Sequence, residues 1–100
     1  PDGNSQGIYY ATTKGGQVYS DVAYPGQTML VFGKETKGLP EPLLLAHPER
    51  CVRIPMLPDR RSLNLANSVA VLTYEVLRQH NFPGLITIGS MAGIQVEETR

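Results

Sequence analysis

Lys14, Lys34, Lys37, Arg60 and Arg61 stand in three loop-like stretches, "TTKGG", "GKETKG" and "PMLPDRRSLN", where only Glu35 and Asp59 oppose them. Five cations against two anions leave a local excess of three positive charges in a chain whose formal net charge is zero. Such a cluster suits a phosphate-rich partner, because Lys and Arg neutralise phosphates locally whatever the charge of the rest of the molecule. The competing account is that lysines solvate loops on any surface. The stretch "LVFGKETKGLP" spends more polar and glycine residues than a turn needs, and that surplus points to a ligand. Other chemistries lack their residues. In "GKETKGL" Leu39 and Pro40 stand where a phosphate loop needs Lys and then Ser or Thr. His47 and His80 are isolated and read as helix-end residues, and Cys51 has no partner, so no metal-ligand spacing exists. No Gly-x-Ser-x-Gly elbow surrounds a serine.

The elements that would position these loops read as an α/β fold. "GIYYAT", "QTMLVFG" and "CVRIPM" are short apolar runs of strand character. The second is apolar at Met29, Leu30, Val31 and Phe32 without alternation, as expected of a strand covered on both faces in a parallel sheet. "PEPLLLAHPER" predicts a short crossover helix that starts near Pro40 and stops before Pro48. In "SLNLANSVAVLTYEVLRQH", Leu65, Val69, Leu72 and Val76 repeat at helical spacing, with Ala66, Ala70 and Leu77 widening the stripe. Ser62 is the expected N-cap, Arg78 and His80 suit the negative end, and Pro83-Gly84 stops the helix. Each strand runs into one of the three charged loops. Ligands bind outside the carboxyl ends of parallel strands, so the loops would form one rim.

Length and composition bound the rest. One hundred residues, 41% hydrophobic and 18% charged, make a single domain or a piece of one. No apolar run approaches a membrane span and no charged-then-apolar leader opens the chain. A lone cysteine inside an apolar run fits a reducing compartment, with the cytoplasm as the default. "PDGNSQG" lacks a Met and reads as a loop, which implies that the natural chain begins earlier. Residues 86–100 are either a terminal strand and tail or, from Gly89-Ser90-Met91, a junction left by cloning.

"LVFGKETKGLP" followed by "RIPMLPDRRSLNLANSVAVLTYEVLRQ" resembles the second and third signature motifs of the SPOUT methyltransferases, more narrowly the small tRNA wobble-nucleotide 2′-O-ribose methyltransferases acting on cytidine or uridine. "TTKGG" matches the loop that precedes those motifs, and the resemblance runs from about Gly7 to Leu85, so residues 1–85 would be the C-terminal portion of such a domain. It implies a homodimer acting on tRNA, S-adenosylmethionine as cofactor, no metal, and a C-terminal trefoil knot that makes the cofactor pocket. By matching position, Ala11, Gly33, Ile54 and Ser62 would line that pocket, and Lys14, Arg60, Arg61 and Tyr74 would meet substrate. For Gly33 the alternative is a turn residue, for Tyr74 the dimer interface or core packing, and for Glu35 an ordering role or a salt bridge. Asn64 would hydrogen-bond across the knotted loops.

The implied reaction is an in-line displacement in which a ribose 2′-hydroxyl attacks the sulfonium methyl and S-adenosylhomocysteine leaves. Alignment and removal of the hydroxyl proton are the protein's share. The family's first motif, of Asn-Thr-Gly-Asn type followed by an arginine, does not occur in these residues. The alternatives are therefore a non-catalytic fragment or engineered module that keeps the cofactor pocket or dimer surface, and a generic α/β nucleotide-binding domain.

Overall fold

The computed structural model describes residues 7–34, 38–57, 64–91 and 94–95. Its centre is a four-stranded sheet built from β1 (Ile8–Ala11), β2 (Gln17–Val18), β3 (Met29–Phe32) and β4 (Cys51–Arg53), in the order β2-β4-β1-β3. Every neighbouring pair is parallel, in keeping with the unbroken apolar run of β3. The sequence reading found three of these strands. The fourth, β2, has only two residues, too few for any periodicity to register.

How β2 reaches its place is the main topological feature. Ala11 of β1 and Gln17 of β2 both pair with Val52, from its opposite sides. Residues 12–16 therefore carry the chain across β4. Gly15 lies directly on that strand: a Cβ there would stand 2.7 Å from the carbonyl carbon of Val52 and 3.0 Å from that of Cys51. Only a residue without a side chain fits, and Thr12 N donates to Val52 O at 2.9 Å to begin the crossing.

Helix α1 (Glu41–Ala46) is the predicted crossover, entered through Pro40 and closed before Pro48. It packs on the sheet face that carries Ile8, Tyr10 and Cys51, where Leu43, Leu44 and Val31 complete an apolar cluster. The Cys51 Sγ lies 3.3 Å from His47 O, and burial pushes its thiol pKa up, so it is an inert core group. Successive strand residues face opposite ways, so Tyr9 points to the other face. There Tyr24 meets it edge-on at 5.0 Å.

Helix α2 (Leu65–Gln79) packs against β3 and buries Leu72 almost completely. Its start corrects the sequence reading. Asn64, not Ser62, is the N-cap: its side-chain oxygen accepts from Ala66 N at 2.8 Å and Asn67 N at 3.4 Å, which is an end-capping role rather than a bond across loops. At the other end Phe82 N donates to Leu77 O and Asn81 N to Arg78 O, the paired bonds of a Schellman ending, with Asn81 at φ 64°. The final pair, β5 (Ser90–Met91) and β6 (Ile94–Gln95), is antiparallel and forms its own two-stranded sheet.

A polar network fastens the last turn of α2 to residues 22–24. Glu75 accepts both guanidinium bonds of Arg78, at 2.9 and 2.8 Å, and one from Gln79. Gln79 in turn donates to Val22 O and accepts from Tyr24 N, and His80 Nε2 lies 3.0 Å from Tyr24 O. The Arg78 bonds hold the Glu75 carboxyl below its ordinary value, while burial, helped by Glu75, pushes the Tyr24 phenol up to about 12. The lowered Glu75 value contributes stability above its unfolded value of about 4.5 that is lost as pH falls through the folded one. The raised Tyr24 value acts at the other end, costing on the order of 2–3 kcal/mol as pH climbs from about 10 to 12. Equilibrium urea unfolding across pH should show that alkaline loss, and Tyr24→Phe should remove its pH dependence.

Candidate functional site

Parallel pairing brings the three strand ends to one edge of the sheet. Ala11 sits between its register partners Phe32 and Val52, Gly33 follows Phe32, and Ile54 lies two residues beyond Val52. Adjacent strands are about 4.8 Å apart, so these three residues share one rim, and all three are half-buried. The sequence reading expected this edge and the structure forms it.

Gly33 has a more specific role than leaving room for a ligand. A Cβ on it would lie 2.3 Å from the Gly38 carbonyl carbon and 2.6 Å from Leu39 N. What approaches it is the chain's own return, tied by Gly38 N donating to Lys34 O at 2.7 Å. Gly38 and Leu39 thus lie back against the end of β3. Glu35, Lys37, Asp59, Arg60, Arg61 and Ser62 lie outside the described residues.

The charge count at the rim changes once the fold is known. Lys34 is exposed at the end of β3. Lys14, in the loop after β1, forms an ion pair of 2.6 Å with Glu41, the first residue of α1. Arg53, at the end of β4, donates from Nη1 to Thr13 O at 3.3 Å. Neither Glu41 nor Arg53 figured in the sequence count, since both lie outside the three quoted loops. Only the parallel order of β4, β1 and β3 brings them there.

Tyr74 is away from the core, with 57% of its surface exposed. The apolar stripe of α2 is wider than the core uses, for Ala66, Val69 and Ala70 are exposed as well. Tyr74 lines an open groove with Phe82, Leu85, Ile86 and Thr87, and Ile86 is 93% exposed. Core packing is therefore the wrong account of Tyr74. Among the described residues no group of three or more His, Cys, Asp and Glu could hold a metal ion, and no helix is long and apolar enough to cross a membrane.

With this geometry in view, the likeness to known proteins is specific. The sequence model of the SpoU rRNA Methylase family matches residues 3–74. A Listeria innocua relative, provisionally named a tRNA (cytidine(34)-2′-O)-methyltransferase, is 56% identical over 82 residues, covering 79% of this chain and 48% of its own. The tRNA (cytidine(34)-2′-O)-methyltransferase of Escherichia coli K12 is 48% identical over 84 residues, covering 83% of this chain and 54% of its own. A solved structure described as giving insights into the 2-OH methylation of C/U34 on tRNA superposes with a TM-score of 0.71 at 34% identity, over 81% of this chain and 48% of the other. The chain spans about half the length of the curated relatives it matches. A strand-end rim of this form, and a family match over most of the residues that build it, lead to one assignment: the chain belongs to the SpoU rRNA Methylase family.

Proposed function

We infer that this chain is the cofactor-binding portion of an S-adenosylmethionine-dependent tRNA 2′-O-ribose methyltransferase acting at the wobble nucleotide. The observation that carries the reading is the convergence of Ala11, Gly33 and Ile54 at one parallel edge. Names given to relatives at 48–56% identity supply the substrate class.

The residues present fit the cofactor. Strand ends offer backbone donors and acceptors for an adenine edge, and half-buried Ala11 and Ile54 offer apolar contact for its ring and the thioether. The cofactor supplies an electrophilic sulfonium methyl, so the chain's share is to bind and orient it beside the ribose hydroxyl. Ser62 joins this set by position in the sequence, and Arg60 and Arg61 are the cations we assign to the RNA backbone.

The crossing of β4 by residues 12–16 supports the trefoil knot, since β4 lies between two strands of one earlier continuous segment. The exposed apolar surface at Val69, Tyr74, Leu85 and Ile86 supports a homodimer through α2. The cytoplasm, where tRNA is modified, is the expected site of action.

Transfer of labelled methyl from S-adenosylmethionine to bulk tRNA tests the reading. The longer relatives' architecture should support transfer to the wobble ribose. These 100 residues alone, without the Asn-Thr-Gly-Asn motif, should bind cofactor but transfer little or no label. Binding of adenosine triphosphate but not S-adenosylmethionine would favour the generic nucleotide-binding alternative.

A further inference from the structure

We propose that Lys14 and Glu41 are positioning residues, a charged strap that holds the loop after β1 against α1 and so fixes two walls of the cofactor site. This rests on the assignment of the rim to S-adenosylmethionine. The loop after β1 is the middle one of the three, because β1 lies between β4 and β3. It is fastened on both sides. Arg53 reaches from the end of β4 to Thr13 O at 3.3 Å, and Lys14 reaches the opposite way to Glu41 at 2.6 Å.

Glu41 opens α1, the helix that follows β3 in sequence, so the pair connects segments that leave neighbouring strands and are 27 residues apart in sequence. Both side chains are more than half exposed, at 60% and 56%. A pair so hydrated contributes little to global stability and is screened by salt. Its effect is to bias the separation of the loop after β1 from the start of α1. A ligand beside that junction reads the separation as affinity, because ordering completed before binding does not oppose the binding step.

The alternative is that the two charges act independently on the ligand, and sign separates the cases. The cofactor's sulfonium and ammonium outweigh its single carboxylate, leaving a net positive charge. Independent electrostatics then makes Lys14→Gln strengthen binding and Glu41→Gln weaken it. A strap makes both weaken it.

The test is a double-substitution cycle on the full chain by calorimetric titration with S-adenosylmethionine. Lys14→Gln and Glu41→Gln should each weaken binding by about two- to fivefold, and the double variant should be no weaker than either. Wild-type affinity should fall towards that of the variants in about 1 M salt, where the screening length is about 3 Å. Thermal midpoints should stay unchanged. Opposite effects of the two substitutions, additive effects, or no effect would overturn the strap while leaving the cofactor assignment intact. Failure of the wild-type chain to bind would overturn that assignment, and the strap with it.

Discussion

Gly33→Ala is expected to lower the thermal midpoint by roughly 10–20 °C and to abolish measurable cofactor binding. The added carbon would stand 2.3 Å from the Gly38 carbonyl carbon, 2.6 Å from Gly38 O and 2.6 Å from Leu39 N. All three are backbone atoms, so no side chain can rotate away to make room. Relief requires Gly38 and Leu39 to lift from the end of β3, which breaks the bond from Gly38 N to Lys34 O and displaces Leu39 from the apolar cluster under α1. Overpacking of this kind costs about 1–3 kcal/mol and sometimes more. Gly26→Ala is the control, since a Cβ there meets nothing within 4 Å. Scanning fluorimetry reads the first effect and calorimetric titration the second. A midpoint within about 2 °C of wild type, small on the scale of a 1 kcal/mol change, would show that Gly38 and Leu39 do not rest on the strand.

Gly15→Ala should destabilise the chain to a similar extent, for a different reason. Its carbon would fall 2.7 Å from the Val52 carbonyl carbon and 3.0 Å from Cys51 O, over a strand whose Val52 is fully buried. The loop would have to rise off β4. Thr12 would then be drawn from Val52 O, and the short pairing of β2 with β4 would go with it. A loss of about 1–3 kcal/mol is expected in urea unfolding. Hydrogen exchange should localise it, with protection lost at Thr12 and across the β2–β4 pair before the β1–β3 pair. Gly16→Ala, whose Cβ meets nothing within 4 Å, should be close to neutral. Equal loss at both glycines would mean that the crossing loop is intolerant as a whole rather than pressed onto β4.

The contrast between these glycines marks what a sequence reveals and what it withholds. The parallel sheet was legible because Met29 to Phe32 do not alternate, and the crossover helix because prolines stand at both of its ends. The shared rim followed from the strands alone. β2 was not legible, because two residues cannot express a period and the strand exists only through its pairing with Val52 and Arg53. The helix start is ambiguous in sequence, for Ser62 and Asn64, two apart, are both good cap types, and the bonds from Ala66 N and Asn67 N to the Asn64 side chain identify the cap. The type of Gly33 points to a close approach but not to what approaches, since the backbone that presses on it comes from five residues further along. Glu41 stood in plain sight as a first-turn acid. Its partner Lys14 is set by strand order, which no local pattern encodes.

The central claim is that the ends of β1, β3 and β4 enclose one methyl-donor site. Amide chemical-shift mapping of the labelled chain during titration with S-adenosylmethionine tests it most directly. The account predicts saturable shifts concentrated at residues 11–15, 33–34, 38–39 and 52–56, with the groove at Tyr74 and Phe82 unmoved. Shifts confined to that groove, or none at millimolar cofactor while the fold stays intact, would contradict it.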